Sequence, residues 1–280
     1  MKPILLLSSL SSIFLMTASL TSAQIALNVD GGDWDDPVWG PANESATAGN
    51  DYIVNNTNGA FDLDLPGGAP TTFAGDSLTI VSGSRADFKQ DGTATWILDG
   101  GTLRHTSGGN NFDIGGSLDI TANGGAIDYN NGSFTVSASL TGSGDLSLTS
   151  GSGNTSNMLF SGGGSFSGTL NFTTLDSAVN AAALDFSAAY SNASVVFSDP
   201  SNYTTGLYDL DSTDTFAAFT VGSTSLAPGT YTYTDLTNEG IGDLFTNNSG
   251  SLTVVPEPSV SLLLLGSSAL LLLVRRRVRS

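Results

Sequence analysis

Glycine keeps time along the middle of this chain. Gly83, Gly92, Gly100, Gly108, Gly116, Gly124, Gly132, Gly142 and Gly151 follow one another at intervals of 9, 8, 8, 8, 8, 8, 10 and 9 residues. Between them lie short runs that are apolar or alternate apolar with polar: Ser77–Val81, Ala94–Leu98, Ser117–Ile120, Phe134–Val136 and Asp145–Leu148. This is strand patterning, broken at corners by the residue that most readily takes positive φ. A longer beat overlies it. Leu78, Leu98, Leu118, Leu140 and Leu159 are separated by 20, 20, 22 and 19 residues. A period near 20 that holds two or three short strands predicts a β-solenoid, whose rungs bury their apolar faces only by stacking on one another. The expected fold class is all-β: a right-handed parallel β-solenoid, or β-helix, closed by capping strands. The alternative is an antiparallel β-sandwich with a hairpin turn at each glycine. Ala178–Ala189 is a weak helix candidate, rich in alanine but without a sustained apolar stripe.

Charge narrows the function classes. The 280 residues carry 26 acidic and 8 basic side chains, a formal charge of −18, and no cysteine. Lys2 and the four arginines 275, 276, 277 and 279 are at the ends, and Glu257 is the one acid outside residues 24–255. The stretch between therefore holds 25 acids and only Arg85, Lys89 and Arg104 as bases, a net of −22. Such a surface repels phosphates, so no nucleic-acid partner is expected. Without cysteine there is no disulfide, thiolate metal site or thiol nucleophile. A single His, His105, excludes a multi-His centre.

The two ends read as addresses. Residues 1–23 have a positive start at Lys2, an apolar stretch to Leu20 and small residues before a cut between Ala23 and Gln24. They are expected to be a secretory signal peptide. At the other end stand Pro256, Glu257 and Pro258, then an apolar run from Val260 to Val274, then Arg275, Arg276, Arg277 and Arg279. Fifteen helical residues span about 23 Å. This is short of a hydrocarbon core of about 30 Å, a deficit that snorkelling arginines can cover. The reading is a single transmembrane helix with its arginines on the cytoplasmic side. The expected organisation is signal peptide 1–23, N-terminal cap and first strands 24–74, solenoid repeats 75–209, capping β segment 210–255 and C-terminal signal 256–280.

That C-terminal succession of Pro-Glu-Pro, leucine-rich helix and arginine cluster resembles the PEP-CTERM sorting signal of Gram-negative bacteria. The resemblance implies that an exosortase recognises Pro256, Glu257 and Pro258 as a processing motif. It also implies transient residence in the inner membrane, then release to the cell surface or an extracellular polysaccharide matrix. The stretch Leu140-Thr141-Gly142-Ser143-Gly144-Asp145-Leu146-Ser147-Leu148, with Leu159-Phe160-Ser161-Gly162 and Phe166-Ser167-Gly168-Thr169-Leu170, resembles autotransporter-associated β-strand repeats. No translocator barrel follows it. The resemblances imply a structural surface or matrix protein, associated with exopolysaccharide, biofilm or adhesion.

Chemistry-bearing groups are few. Asp30, Asp33, Asp35 and Asp36 surround Trp34 and Trp39. The tryptophans are either a platform that stacks on sugar rings or a cap over the first rung. The acids lack the Asp-x-Asp-x-Asp-Gly run of an EF-hand loop. Asp209, Asp211 and Asp214 offer a second spacing that calcium could use, though no metal or other cofactor is expected. Arg85 and Arg104 lie 19 apart, near one rung, so they are expected on one face. With Lys89 and His105 they are either the basic group of a polysaccharide lyase or partners of Asp87, Asp91 and Asp99 that relieve repulsion. Neither a nucleophile elbow nor another catalytic constellation is present in the sequence. The expectation is no catalytic residue, with a lyase, a hydrolase or a glycan-binding module on the same scaffold as the alternatives.

Overall fold

A computed structural model describes residues 23–55, 62–65, 71–105, 111–129, 132–150, 155–174, 184–187, 189–198 and 205–255. Nearly all regular structure is β. The strands form a ten-stranded and a twelve-stranded sheet whose successive members are parallel, apart from the short strands Thr224–Ser225 and Gly229–Tyr231. Parallel pairing of strands that follow one another in sequence requires the chain to go round once between partners. This is a β-solenoid, and it excludes the antiparallel sandwich.

The ten-stranded sheet covers two faces because its long strands bend. Phe112–Ile120 pairs through Phe112–Ile114 with the strand Gly132–Val136, and through Ser117–Ile120 with Ser139–Gly142. The bend lies at Gly115-Gly116. Gly116 has φ +92°, and a Cβ there would sit 2.2 Å from the carbonyl oxygen of Ala94 on the rung before. Only glycine tolerates both the dihedral and the approach. One face thus runs through Thr71–Thr72, Gly92, Phe112–Ile114, Gly132–Val136, Thr155–Phe160 and Leu184–Phe186. The second runs through Ile25–Ala26, Asp51–Val54, Ser77–Val81, the rest of Gly92–Asp99, Ser117–Ile120 and Ser139–Gly142. The twelve-stranded sheet is the third face. It includes Asp62–Asp64, Arg85–Phe88, Thr102–His105, Gly125–Tyr129, Leu146–Ser150, Thr169–Thr174, Tyr190–Phe197 and Thr213–Val221.

Three corners per rung explain the glycine beat of about 8 against a rung of about 22. Gly83, Gly100, Gly116, Gly124, Gly132 and Gly142 all have positive φ. Gly108 and Gly151 lie outside the described residues. The second face ends at Gly164, which bridges Leu140. The next rung passes from Leu184–Phe186 directly to Tyr190–Phe197, so the solenoid narrows from three sides to two. Leu184–Phe186 is a strand inside the alanine-rich helix candidate.

Inward columns form the core. Leu78, Trp96, Leu118 and Leu140 stand in register, as do Ile80, Leu98 and Ile120. The third face contributes Ala86, Leu103, Ile127, Leu148, Phe172, Phe197 and Val221. All are buried. The leucine beat in the sequence therefore mixes columns. Leu98 belongs two residues along from Leu78, and Leu159 lies on the first face opposite Thr135. Unequal rung lengths cause this, since Leu78 is 18 residues from Trp96 and Leu118 is 22 from Leu140.

Aromatic side chains continue the core from end to end. Trp34 stacks on Trp96 at 5.6 Å, and the contacts pass on through Phe88, Phe112, Phe134, Phe160, Phe186 and Tyr208 to Phe245, each step between 5.0 and 5.9 Å. Parallel stacking runs from Ile25–Ala26 to Ser251–Val254, beyond residues 75–209 on both sides. At the far end the short strand Gly229–Tyr231 pairs antiparallel with Ser251–Val254. A helix, Tyr233–Asn238, follows and buries Leu236. Thr232 and Asp235 close its N-terminus with a reciprocal capping box. Covered ends of this kind keep a solenoid from adding further strands.

Candidate functional site

The outer side of the third face gathers the three cations of residues 24–255. A parallel ladder brings Asp62, Arg85 and Thr102 into one column and Asp64, Asp87, Arg104 and Asp128 into the next. Arg85 and Arg104 thus share a face but not a column. Arg104 grips Asp87 with two nitrogens, Nε at 2.9 Å and a terminal nitrogen. Arg85 pairs with Asp62 and lies 3.4 Å from Asp87. Lys89 donates to Asp64 at 2.8 Å. The hydrogen bonds to Asp87 and Asp64 hold the Arg104 and Lys89 cations above their ordinary pKa values. Asp62 is pushed up, chiefly by burial and then by its neighbour Asp87.

The partners expected from sequence were Asp87, Asp91 and Asp99, and only Asp87 serves. Asp91 instead accepts the backbone N–H of Asp113. Asp99 accepts from the Thr121 hydroxyl and the Asn123 amide. Asp62 and Asp64 were missed, although they precede Arg85 and Lys89 by 23 and 25 residues, about one rung. His105 is 1% exposed and lies flat on Phe112, ring centres 4.5 Å apart. Burial lowers its pKa. It is a core residue, not a base poised beside Arg104.

Aspartates elsewhere work as acceptors between rungs. Ser77 donates to Asp51 at 2.6 Å, Ser137 to Asp113 at 2.5 Å, Thr141 to Asp119 at 2.9 Å and Thr149 to Asp128 at 3.4 Å. Each bond ties a hydroxyl to a carboxylate on the rung before it.

Trp34 and Trp39 are each 1% exposed. Trp39 bridges Leu27 and Glu44, and packs edge-on against Tyr52 at 4.9 Å. Its Nε1 donates to the Trp34 carbonyl. Neither ring offers a face to a sugar, which corrects the glycan-platform reading in favour of a cap. The reason is that Phe73 and Trp96 occupy the faces that a ligand would need.

A second place of interest is a cleft of about 320 Å³ near the narrow end, lined by Asp185, Ser187, Asp211, Ser212, Thr213 and Asp214. Asp214 points inward and is 4% exposed. Its carboxylate accepts from the Tyr208 hydroxyl at 2.7 Å and from Ser212 at 3.2 Å. Burial raises its pKa to about 6 in spite of these bonds, with Asp185 and Asp211 adding to the rise. Burial and Asp211 also raise Asp185. Asp209 turns away to accept from Thr246 and Asn248. Asp209, Asp211 and Asp214 therefore do not converge. Among the described residues no three His, Cys, Asp or Glu side chains are placed to hold a metal ion. Asp185 could have been found from sequence by stepping back about one rung from Asp211, whereas Tyr208 lies on the same rung as Asp211.

Ala23 and Gln24 are described, and both are exposed. Pro256, Glu257, Pro258, Arg275, Arg276, Arg277 and Arg279 lie outside the described residues, as do residues 1–22 and the apolar run after Val260. No helix among the described residues is long and apolar enough to cross a membrane. No family model, curated protein or solved structure matches the chain.

Proposed function

We propose that this chain is an exported structural protein of a Gram-negative cell surface or extracellular matrix, sorted by an exosortase. In this reading the signal peptide ends at Ala23. The helix after Pro256-Glu257-Pro258 holds the chain in the inner membrane until processing. The solenoid, wound right-handed as parallel crossovers are, then associates with extracellular polysaccharide in a biofilm or adhesive layer.

The observation that carries the structural part is the fate of Arg85, Lys89 and Arg104. Each is bound to aspartate on the outer ladder, so none is directed at a cleft where a lyase would need it. The acids likewise serve rung-to-rung hydrogen bonds. A surface built this way supports a durable rod stabilised without disulfides, with a negative field that resists lateral association.

Deletion of residues 256–280 followed by cell fractionation tests the sorting. The expected result is loss of the surface-retained form, and unchanged retention would overturn it. Incubating the purified full chain with acidic and neutral polysaccharides, with and without calcium, tests the structural role. No turnover is expected, and cleavage lost in Arg104→Ala would replace this reading with the lyase.

A further inference from the structure

Gln24 occupies an unusual position at the start of the solenoid. The parallel ladder begins at the next residue, where Ile25 and Ala26 pair with Tyr52 and Ile53. Gln24 is exposed. Its side chain nevertheless reaches two strands across the outer side of the second face, and Nε2 donates to Oγ1 of Thr79 at 2.8 Å. Thr79 is 6% exposed, so this acceptor is fixed in a well-packed place.

We propose that Gln24 is a modification site: once freed as the first residue, it closes to pyroglutamate, at a rate set by the Thr79 hydroxyl. The proposal rests on the cut between Ala23 and Gln24 described above. An N-terminal glutamine carries nucleophile and electrophile in one residue. The lone pair of the α-nitrogen attacks the side-chain Cδ, the Cδ–Nε2 bond breaks, and the departing nitrogen takes a proton from the amine and leaves as ammonia. A five-membered lactam remains, with no oxidant or second substrate consumed. Closure requires the side chain to curl back over its own backbone. The bond to Thr79 holds the leaving nitrogen in the opposite, extended arrangement, so it must break first.

Closure releases the Thr79 hydroxyl and changes the chain's end. The terminal positive charge disappears, and with it the free amine that an aminopeptidase requires. In an exported chain with no disulfide, blocking the one end from which the first rung could be trimmed protects the whole stack, because each rung is held by its neighbours.

Mass spectrometry of the protein from its native cells, freshly isolated and then incubated, tests this. The expected N-terminal peptide begins at Gln24 and is lighter by the mass of one ammonia. In Thr79→Val closure runs roughly fivefold faster, the factor that one hydrogen bond of ordinary net strength supplies. Thr79→Ser, which keeps the hydroxyl, retains the parent rate. A peptide that begins at Gln24 with a lasting free amine overturns the modification and leaves the cut standing. A peptide that begins elsewhere overturns both. Equal rates in Thr79→Val and the parent chain overturn the part given to Thr79.

Discussion

Tyr208 donates its phenolic proton to Asp214 across 2.7 Å inside the two-sided end of the solenoid, where both side chains are buried. The phenol is pushed well above its ordinary pKa by burial, and the carboxyl is pushed up to about 6 by the same cause. An acid whose folded pKa is raised stabilises the fold only while it is neutral. This contribution is complete below pH 3.8 and is lost as pH rises to about 6.

Asp214→Asn removes that penalty while leaving an acceptor for Tyr208. The variant is expected to match the parent chain near pH 3.5 and to gain on it between pH 4 and 6. The gain levels off above pH 6 at about 3 kcal/mol, the worth of roughly two pKa units. Urea unfolding of both proteins across this range measures it. A gain independent of pH would show that Asp214 does not titrate in the fold.

The Arg104–Asp87 pair gives a second expectation. Asp87 is 5% exposed, and Arg104 is its two-pronged partner. Arg104→Ala leaves a nearly buried carboxylate with Arg85 at 3.4 Å, and is expected to cost about 1–3 kcal/mol. Arg104→Lys keeps the charge but not the fork, and should recover less than half of the loss. Chemical denaturation of the three proteins decides this. Equal stability of all three would make the ladder ornamental.

Two glycines separate dihedral strain from crowding. Gly83 has φ +78° with open space where a Cβ would go. Gly142 has φ +94°, and a Cβ would lie 2.0 Å from the Ile120 carbonyl oxygen. Gly83→Ala should cost about 1 kcal/mol and Gly142→Ala more than twice that, because the second substitution also forces adjacent rungs apart. Thermal unfolding of the pair ranks them, and a smaller loss at Gly142 would contradict the close approach.

The chain has three tryptophans, Trp34, Trp39 and Trp96, each at most 1% exposed. Their combined emission is expected to be blue-shifted, and insensitive to iodide until the fold is lost. Adding soluble glycans should leave it unchanged. Quenching by iodide in the native state, or a glycan-dependent shift, would return Trp34 and Trp39 to the surface.

The charged ladder shows how far the linear pattern could be read. Arg85 and Arg104 were expected on one face from their spacing of 19, and they are on one face. Their partners could not be assigned, because rungs here vary from 17 residues, between Ala86 and Leu103, to 38, between Phe216 and Val254. A drift of that size exceeds the two-residue step that separates neighbouring outward positions on a strand. Asp62 and Asp64 therefore take the place of Asp91 and Asp99. The same drift scattered the leucine beat over two faces.

By itself the sequence determined the class of fold. Evenly spaced glycines, alternating apolar runs and a period near 20 admit little other than stacked short strands, since corners need positive φ and each rung lacks a core of its own. It also determined the uneven charge that separates the middle of the chain from its ends. Only the tertiary structure decided which residues meet. It folded Trp34 and Trp39 inward, because Tyr52, Phe73 and Trp96 from the following strands pack against their rings. It turned Asp214 into the core, on the inward phase of the strand Thr213–Val221, and Asp209 away from it, between the inward Tyr208 and Leu210. And it dropped the second face after Gly164, where only three residues separate Leu184–Phe186 on the first side from Tyr190–Phe197 on the third, too few for a further strand.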